Sequence, residues 1–228
     1  MLELQSLSYH PATAAAPVLC EVSLQLPSGE AALVAGRSGS GKTTLLELIS
    51  GLAEPDGGRI LWNGETLTAR QRRWLCGLVF QFPERHFLGL SVGQELRLGQ
   101  RRFDSERASR VLEQVGLGTI SLQQAPERLS GGQQRRLSLA VQLLRDPKVL
   151  LLDEPTAGLD WTVRNEVLQL LSVLSRDRAL LVVTHEPDLF AGVVEGGWFL
   201  EQGALRPLRE RILTPILTMP PEGVGDGG

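Results

Sequence analysis

The sequence predicts an α/β protein whose sheet core is preceded by antiparallel strands and interrupted by a helical insertion. Continuous apolar runs such as VLLL and ALLVV are typical of parallel strands buried on both faces. Near the N-terminus, LELQSLSYH and VLCEVSLQL alternate apolar and polar residues, as half-buried strands do. Between about residues 83 and 145 the pattern becomes helical and amphipathic.

Composition excludes several functional classes. The 228 residues are 42% hydrophobic and 21% charged, which is typical of a soluble globular protein. A net charge of −3 argues against a general nucleic-acid binder. Cys20 and Cys76 have no metal-type spacing, and we expect both to be free thiols. We see no signal peptide, and no apolar run approaches the roughly 20 residues of a membrane span, so a membrane role would require a partner.

The remaining elements follow from local patterns. EAALVAG is a strand that leads into a glycine loop and the helix KTTLLELISGL, GGRILWNGE is a hairpin that turns at NG, and Trp74–Gln81 is a further strand. KVLLLDEP and RALLVVTHEP are parallel strands joined by the helix WTVRNEVLQLLSVLS, and strands around GWFLEQGAL complete the core. We therefore expect an α/β core over 1–82 and 146–210, a helical subdomain over 83–145, and a disordered Pro/Gly-rich tail over 214–228.

The glycine loop GRSGSGKT, residues 36–43, has the full G-x-x-x-x-G-K-[ST] pattern of a phosphate loop. Its backbone N–H groups would surround phosphate oxygens, Lys42 would add a positive charge, and the Thr43 hydroxyl would ligate Mg²⁺. The preceding strand and following helix are the context that this motif requires. The residues expected to bind nucleotide here are Gly36, Arg37, Ser38, Gly39, Ser40, Gly41, Lys42, Thr43 and Thr44.

An acidic pair and a histidine follow the next two core strands. Asp153 ends an apolar strand, where its carboxylate could reach Mg²⁺, and Glu154 is placed to act as a general base on water. His185 ends the neighbouring strand and could contact a γ-phosphate. Each could instead have a structural role, the acidic pair by capping a turn. We do not expect His10 or His86 to be catalytic.

A second anion site is predicted at LSGGQ, residues 129–133, which we call the signature segment. A serine followed by glycines at a helix start presents unpaired N–H groups that favour negative charge. The residues expected to contact phosphate here are Ser130, Gly131, Gly132 and Gln133.

These motifs, in this order, resemble the nucleotide-binding subunit of an ABC (ATP-binding cassette) transporter over about residues 1–205. The resemblance implies a P-loop NTPase core of the ABC type that uses ATP and Mg²⁺. It also implies that Tyr9 stacks on adenine, that Gln81 senses Mg²⁺ and the attacking water, and that Asp160 communicates across a dimer. For Tyr9, a plain position on the sheet surface is the alternative. In this family the signature segment caps the γ-phosphate of ATP held by the other subunit, so the resemblance implies a dimer that encloses two ATP molecules.

The stretch VFQFPERHFLGL after the sixth strand is similar to the energy-coupling factor and cobalt/nickel importer ATPases. Phe82, Phe87 and Leu88 would then contact membrane subunits, or else pack inside the helical subdomain. This resemblance implies an importer ATPase on the inner face of the cell membrane, paired with a second copy or a paralogue. The alternative is a soluble single-cassette ATPase, such as one in iron–sulfur cluster assembly. A P-loop kinase or GTPase does not fit, because the signature segment would have no role.

Overall fold

A computed structural model describes residues 1–100 and 102–208. The expected domain end over 209–213 and the tail over 214–228 lie outside the described residues. In chain order the strands and helices are β1 (Leu2–Tyr9), β2 (Leu19–Leu26), β3 (Ala31–Ala35), α1 (Lys42–Ser50), β4 (Gly57–Trp62), β5 (Glu65–Thr66), α2 (Ala69–Leu75), β6 (Cys76–Val79), α3 (Val92–Arg97), α4 (Ser105–Gln114), α5 (Gly131–Leu143), β7 (Val149–Asp153), α6 (Trp161–Leu174), β8 (Ala179–Thr184), β9 (Gly196–Glu201) and β10 (Ala204–Pro207).

The strands form two sheets. The larger has the order β10-β9-β3-β8-β7-β6, and all neighbours are parallel except β9 and β10. The smaller is antiparallel, with the order β2-β1-β4-β5. This topology confirms the predicted α/β class and the antiparallel strands at the N-terminus.

Apolar side chains cover both faces of the larger sheet. In β7, Leu150 and Leu152 pack in a layer with apolar residues of α5 and α6. Val149 and Leu151 point the other way and pack with α1 and the smaller sheet. Because both faces are covered, the strand reads as a continuous apolar run rather than an alternating one.

The NG turn forms as predicted. Asn63 and Gly64 both have positive φ, 52° and 82°, between the strand pairs Trp62–Glu65 and Leu61–Thr66. Two consecutive residues with positive φ are what a type I′ hairpin requires, and Asn-Gly is its preferred sequence.

The helical stretch between β6 and β7 contains α3, α4 and α5, as the pattern predicted. Each starts at a side-chain cap: Ser91, Asp104 and Ser130 accept from the backbone N–H of the residue three positions on. α4 turns Ala108, Val111 and Leu112 towards the core. Among the described residues, no helix is both long and apolar enough to cross a membrane.

The predicted strand over Trp74–Gln81 was wrong at both ends. Residues up to Leu75 belong to α2, and β6 covers only Cys76–Val79. α2 begins with a capping box in which Thr68 and Gln71 each bond the other's backbone N–H. This local signal outweighed the strand propensity of Trp74, which lies 61% exposed on the helix surface.

The apolar residues after Gln81 do not share one environment. Phe82 and Leu88 are exposed, Leu88 by 81%. Phe87 is half-buried and packs against the apolar layer of the helical stretch. Leu90, which the sequence analysis did not single out, is also 81% exposed.

The two cysteines have opposite environments. Cys76 begins β6, its Sγ donates to the Ile49 carbonyl at 3.7 Å, and burial raises the pKa of its thiol to about 12. Cys20 is exposed, and both thiols are free.

We expect DTNB at about pH 8 to modify Cys20 rapidly and Cys76 only after denaturation, because roughly one Cys76 thiol in 10⁴ is ionised at that pH. Absorbance of the released thiolate would give one fast equivalent for the native chain and two in denaturant. A Cys20→Ser variant should have no fast equivalent. Two fast thiols in the native protein would contradict the burial of Cys76.

Candidate active site

The predicted catalytic residues follow three neighbouring strands of the larger sheet. β3 leads into the phosphate loop, β7 ends at Asp153, and β8 ends at Thr184 beside His185. The parallel register pairs Ala35 with Thr184 and Asp153 with Val183. The carboxyl ends of the three strands therefore meet at one edge, where open α/β sheets bind ligands.

An open cavity of about 510 Å³ lies at this edge. A cavity of this size is within the usual range for small-molecule sites. Val18 also lines it, and sequence reasoning missed this residue because an apolar side chain before a strand carries no chemical signal. The predicted residues brought together around the cavity are Ser38, Gly39, Gly41, Lys42, Thr43, Thr44, Gln81, Asp153, Glu154 and His185.

The phosphate loop leaves no room for side chains at two of its glycines. Gly41 has φ +100°, and a Cβ there would lie 2.7 Å from Val18 Cγ1. A Cβ on Gly36 would lie 2.6 Å from Ser40 Oγ and 2.8 Å from the Leu200 carbonyl oxygen. Both positions therefore require glycine for the loop to keep this shape.

The N-terminus of α1 is open to an anion. In the described part of the chain, α1 is the one α-helix without a side-chain cap; its N-cap is Gly41. Its first turn also contains no acidic residue. Nearby, Ser40 Oγ is buried and has no hydrogen-bond partner within the protein. Unpaired N–H groups and the positive end of the helix dipole favour phosphate at this position.

Lys42 is held across the loop. It is 7% exposed, and its Nζ donates to the carbonyl oxygens of Gly36 at 2.8 Å and Arg37 at 3.1 Å. Nζ also lies 3.8 Å from Glu154 Oε1. The ammonium is thus fixed beside the cavity and between the loop and the acidic pair.

Thr43 and Asp153 form a direct contact between the loop and β7. Thr43 Oγ1 donates to Asp153 Oδ2 at 2.6 Å. Burial is the main cause that raises the pKa of the Asp153 carboxyl, and the neighbouring Glu154 charge raises it further. The Thr43 hydrogen bond and the Lys42 charge oppose this shift without cancelling it.

These groups fit a magnesium ion. A hydroxyl oxygen and a carboxylate oxygen are hard ligands, and Mg²⁺ in phosphate sites is held by one or two such side chains together with phosphate oxygens. Among the described residues no cluster of three or more His, Cys, Asp or Glu side chains could hold a metal alone.

Glu154 is buried in a restrained conformation. It has φ +47°, in the left-handed region, and is 6% exposed. Its Oε2 accepts from the Thr184 hydroxyl at 2.8 Å, and its Oε1 accepts from His185 Nδ1 at 2.8 Å. The carboxylate therefore faces the cavity at a defined angle, with two groups orienting it.

The other predicted residues lie away from this cavity. Tyr9 ends β1, packs half-buried against the core, and accepts from the Val18 amide through its carbonyl. Ser130 and Gln133 form a capping box at the start of α5, and Ser130 is exposed. A Cβ on Gly131 would meet nothing within 4 Å, whereas one on Gly132 would lie 2.3 Å from Val163 Cγ1.

Asp160 caps α6, where its carboxylate accepts from the Val163 amide at 3.1 Å. The signature segment and the α6 cap are therefore next to each other, because Gly132 packs on Val163. Neither is among the residues that line the cavity.

We expect Asp153→Asn to raise the melting temperature of the ligand-free protein at pH 7. Burial raises the pKa of Asp153 in the folded chain, so ionisation lowers the free energy of unfolding as the pH rises above the pKa of the unfolded chain, and this loss is complete above the folded-state pKa. An asparagine oxygen can still accept from Thr43. Scanning calorimetry across pH should show the advantage shrinking as the pH falls and the wild-type carboxyl becomes protonated. A lower melting temperature for the variant at pH 7 would contradict this account.

Comparison with known proteins agrees with the geometry. The family model described as "ABC transporter" matches residues 19–157. The energy-coupling factor transporter ATP-binding protein EcfA2 of Symbiobacterium thermophilum is 37% identical over 213 residues, which are 88% of this chain and 74% of that protein.

Two solved structures have similar folds. The cbiO1 protein of Clostridium perfringens, described as part of the ABC transporter complex cbiONQ, superposes with a TM-score of 0.82 at 27% identity, covering 90% of this chain and 86% of that one. The ATP-binding cassette MJ0796 was solved as a dimer in a post-hydrolysis state with ADP and Pi. It superposes with a TM-score of 0.80 at 26% identity, and the match covers 92% of this chain and 99% of that one. The chain therefore belongs to the ABC transporter family, and it is an ATP-binding ABC ATPase.

Proposed function

We propose that this chain is the ATP-hydrolysing subunit of an importer of the energy-coupling factor or cobalt type, and that it works as a dimer around two ATP molecules. The observation that carries the proposal is the separation of two phosphate-binding segments within one chain. The phosphate loop lines the cavity, whereas Ser130 and Gly131 face solvent and do not line it. A two-fold dimer lets each signature segment complete the partner's site.

The residues around the cavity divide the chemistry between them. The phosphate-loop amides, the α1 N-terminus and Lys42 bind the β- and γ-phosphates. Thr43, Asp153 and Gln81 would hold Mg²⁺, which when bound would neutralise phosphate charge. Glu154 takes the proton of the water whose oxygen attacks the γ-phosphorus as the bond to the β-phosphate oxygen breaks. His185 orients the Glu154 carboxylate and contacts the γ-phosphate from the edge of the cavity.

The remaining predicted residues act at the edges of the nucleotide. Tyr9 stacks on adenine; the half-buried position of its strand end, bonded to Val18 beside the cavity, supports this. Across the dimer, Ser130, Gly131, Gly132 and Gln133 cap the partner's γ-phosphate, and Asp160 contacts the partner's loop. Loss of phosphate after hydrolysis removes the charge that joins the subunits, and the dimer opens.

The exposed surface after Gln81 is the proposed contact with the membrane subunits. Phe82, Leu88 and Leu90 are exposed there by 39%, 81% and 81%. In the same stretch, Pro83, His86 and Phe87 line a cavity of about 140 Å³ together with β6 residues and α5 residues such as Val141. An apolar surface connected through Gln81 to the ATP site suits a partner that must respond to hydrolysis. Through such a partner the chain would lie on the cytoplasmic face of the cell membrane.

Glu154→Gln should reduce ATP hydrolysis by about 10²–10⁴-fold, the usual contribution of a general base, because an amide cannot take the water's proton. With Mg-ATP the variant should accumulate as a dimer of twice the 24.9 kDa chain mass in light scattering. The double variant Glu154→Gln/Ser130→Arg is the matched control, which should bind ATP and stay monomeric. If the single variant binds ATP and remains monomeric, the dimer proposal is wrong.

Changing Leu88 and Leu90 together to glutamate should weaken recovery of a polytopic membrane protein with the tagged chain by about tenfold or more, because the interface would then bury unpaired charge. ATP hydrolysis by the isolated chain should not change. Leu52→Glu, on a surface leucine that is 56% exposed elsewhere, is the control. If the wild-type chain recovers only soluble proteins, the iron–sulfur assembly class becomes the better assignment.

A further inference from the structure

Arg135, two residues beyond the signature segment on α5, contacts two loops of the active site. It is 5% exposed. Its Nη1 donates to the Glu154 carbonyl at 2.7 Å, and its Nη2 donates to the carbonyls of Gln81 at 3.0 Å and Ala157 at 3.2 Å. Gln81 lies in the loop after β6, and Glu154 and Ala157 lie in the loop between β7 and α6.

A guanidinium is suited to this arrangement. It is planar, always charged, and presents five N–H donors in a fixed fork, so it can bond several carbonyls at once without losing geometry. A buried charge with hydrogen-bonded partners on two loops fixes the loops relative to each other, because moving either one leaves part of the charge unpaired.

The most consequential of these contacts is to Glu154. This residue has left-handed φ, its amide donates to the Val183 carbonyl at 2.9 Å, and its carbonyl accepts from Arg135. The amide of Glu154 is therefore held by the sheet, and its carbonyl is held by α5 together with the Ala157 amide, which donates to it at 3.1 Å. The hydrogen bond from Arg135 to the Glu154 carbonyl contributes to the backbone orientation that places the carboxylate against Thr184 and His185.

Arg135 shares its helix with the segment assigned to the other ATP site. Ser130 caps α5, and five residues at about 1.5 Å rise each place Arg135 roughly 8 Å further along the axis. Gly132 lies between them and packs so tightly on Val163 that a Cβ would come within 2.3 Å. The first turns of α5 and α6 are therefore in direct contact, next to the Asp160 cap.

We propose that Arg135 is a positioning residue that couples the two ATP sites of the dimer. The inference rests on the proposed function, because it needs Ser130 of this chain to engage the partner's ATP. When that ATP holds α5, Arg135 fixes Glu154 and Gln81 at the ATP bound by its own chain. Each site thus becomes competent for hydrolysis when the other is filled.

The test compares Arg135→Lys and Arg135→Met with the same changes at Arg136. Arg136 lies next on α5; its Nε donates to the Gly132 carbonyl of its own helix at 3.4 Å and its Nη1 pairs with Glu166 Oε2 of α6 at 3.3 Å, away from the two loops that Arg135 contacts. The lysine variant keeps the positive charge but loses the forked set of guanidinium N–H donors. It therefore still tests the proposal if the methionine variant does not fold. Steady-state hydrolysis against Mg-ATP concentration gives kcat, KM and the Hill coefficient, and a fluorescent ATP analogue gives nucleotide affinity.

For Arg135→Lys we expect kcat to fall by about 10–100-fold, as small misplacements of catalytic groups cause, with KM and analogue affinity within about threefold. We also expect the wild-type protein to have a Hill coefficient above one, and the Arg135→Lys variant to have one closer to one. Arg136→Lys should keep both kcat and cooperativity. Unchanged kcat and cooperativity in Arg135→Lys would overturn the proposal, and so would a lower kcat with unchanged cooperativity, which would restrict Arg135 to its own site.

A second arm separates this inference from the proposed function. In a Glu154→Gln background, Arg135→Lys should still give the ATP-bound dimer, because the dimer contacts belong to Ser130 and its neighbours. Absence of a dimer in Glu154→Gln alone would contradict the proposed function, and the coupling with it. Loss of the dimer only when Arg135 is changed would overturn the assignment of Arg135 as a positioning residue.

Discussion

The parallel pairing of β3, β8 and β7 is the constraint on which the active site depends. Their backbone ladder sets Ala35 opposite Thr184 and Asp153 opposite Val183, so the residues after each strand emerge at one level. A slip of one residue would reverse every side chain in a strand, and both faces here are buried. Thr43 and Asp153, which are 110 positions apart in the sequence, are thereby brought together in a hydrogen bond of 2.6 Å.

That convergence brings buried charges of both signs together at the edge of the sheet. Lys42, Asp153 and Glu154 are each less than 10% exposed, and one cation faces two carboxylates. The raised pKa of Asp153 is the measure of this imbalance, because burial and the second carboxylate both oppose its charge. A bound Mg²⁺ with its phosphates would supply the missing positive charge beside Asp153 and fill the uncapped start of α1. Ligand binding and folding stability are therefore coupled at this site.

Sequence reasoning predicted the groups that carry chemistry better than the groups that support them. The phosphate loop, the acidic pair and His185 have strict local patterns, and the fold brings them around one cavity. The α2 helix was missed because its capping box at Thr68 competed with an apolar run that also suits a strand. Val18 and the three contacts of Arg135 could not be predicted, because they join segments far apart in sequence and depend on side-chain packing alone.

The two positions of the signature segment that hold glycine differ in their surroundings. Gly132 is required within the chain, because any side chain would collide with Val163 where α5 meets α6. Gly131 has no positive φ and open space around its Cβ, so nothing within the described chain requires glycine there. A glycine that the described chain does not require is consistent with a close approach from outside. The phosphate of ATP held by a partner subunit would make that approach.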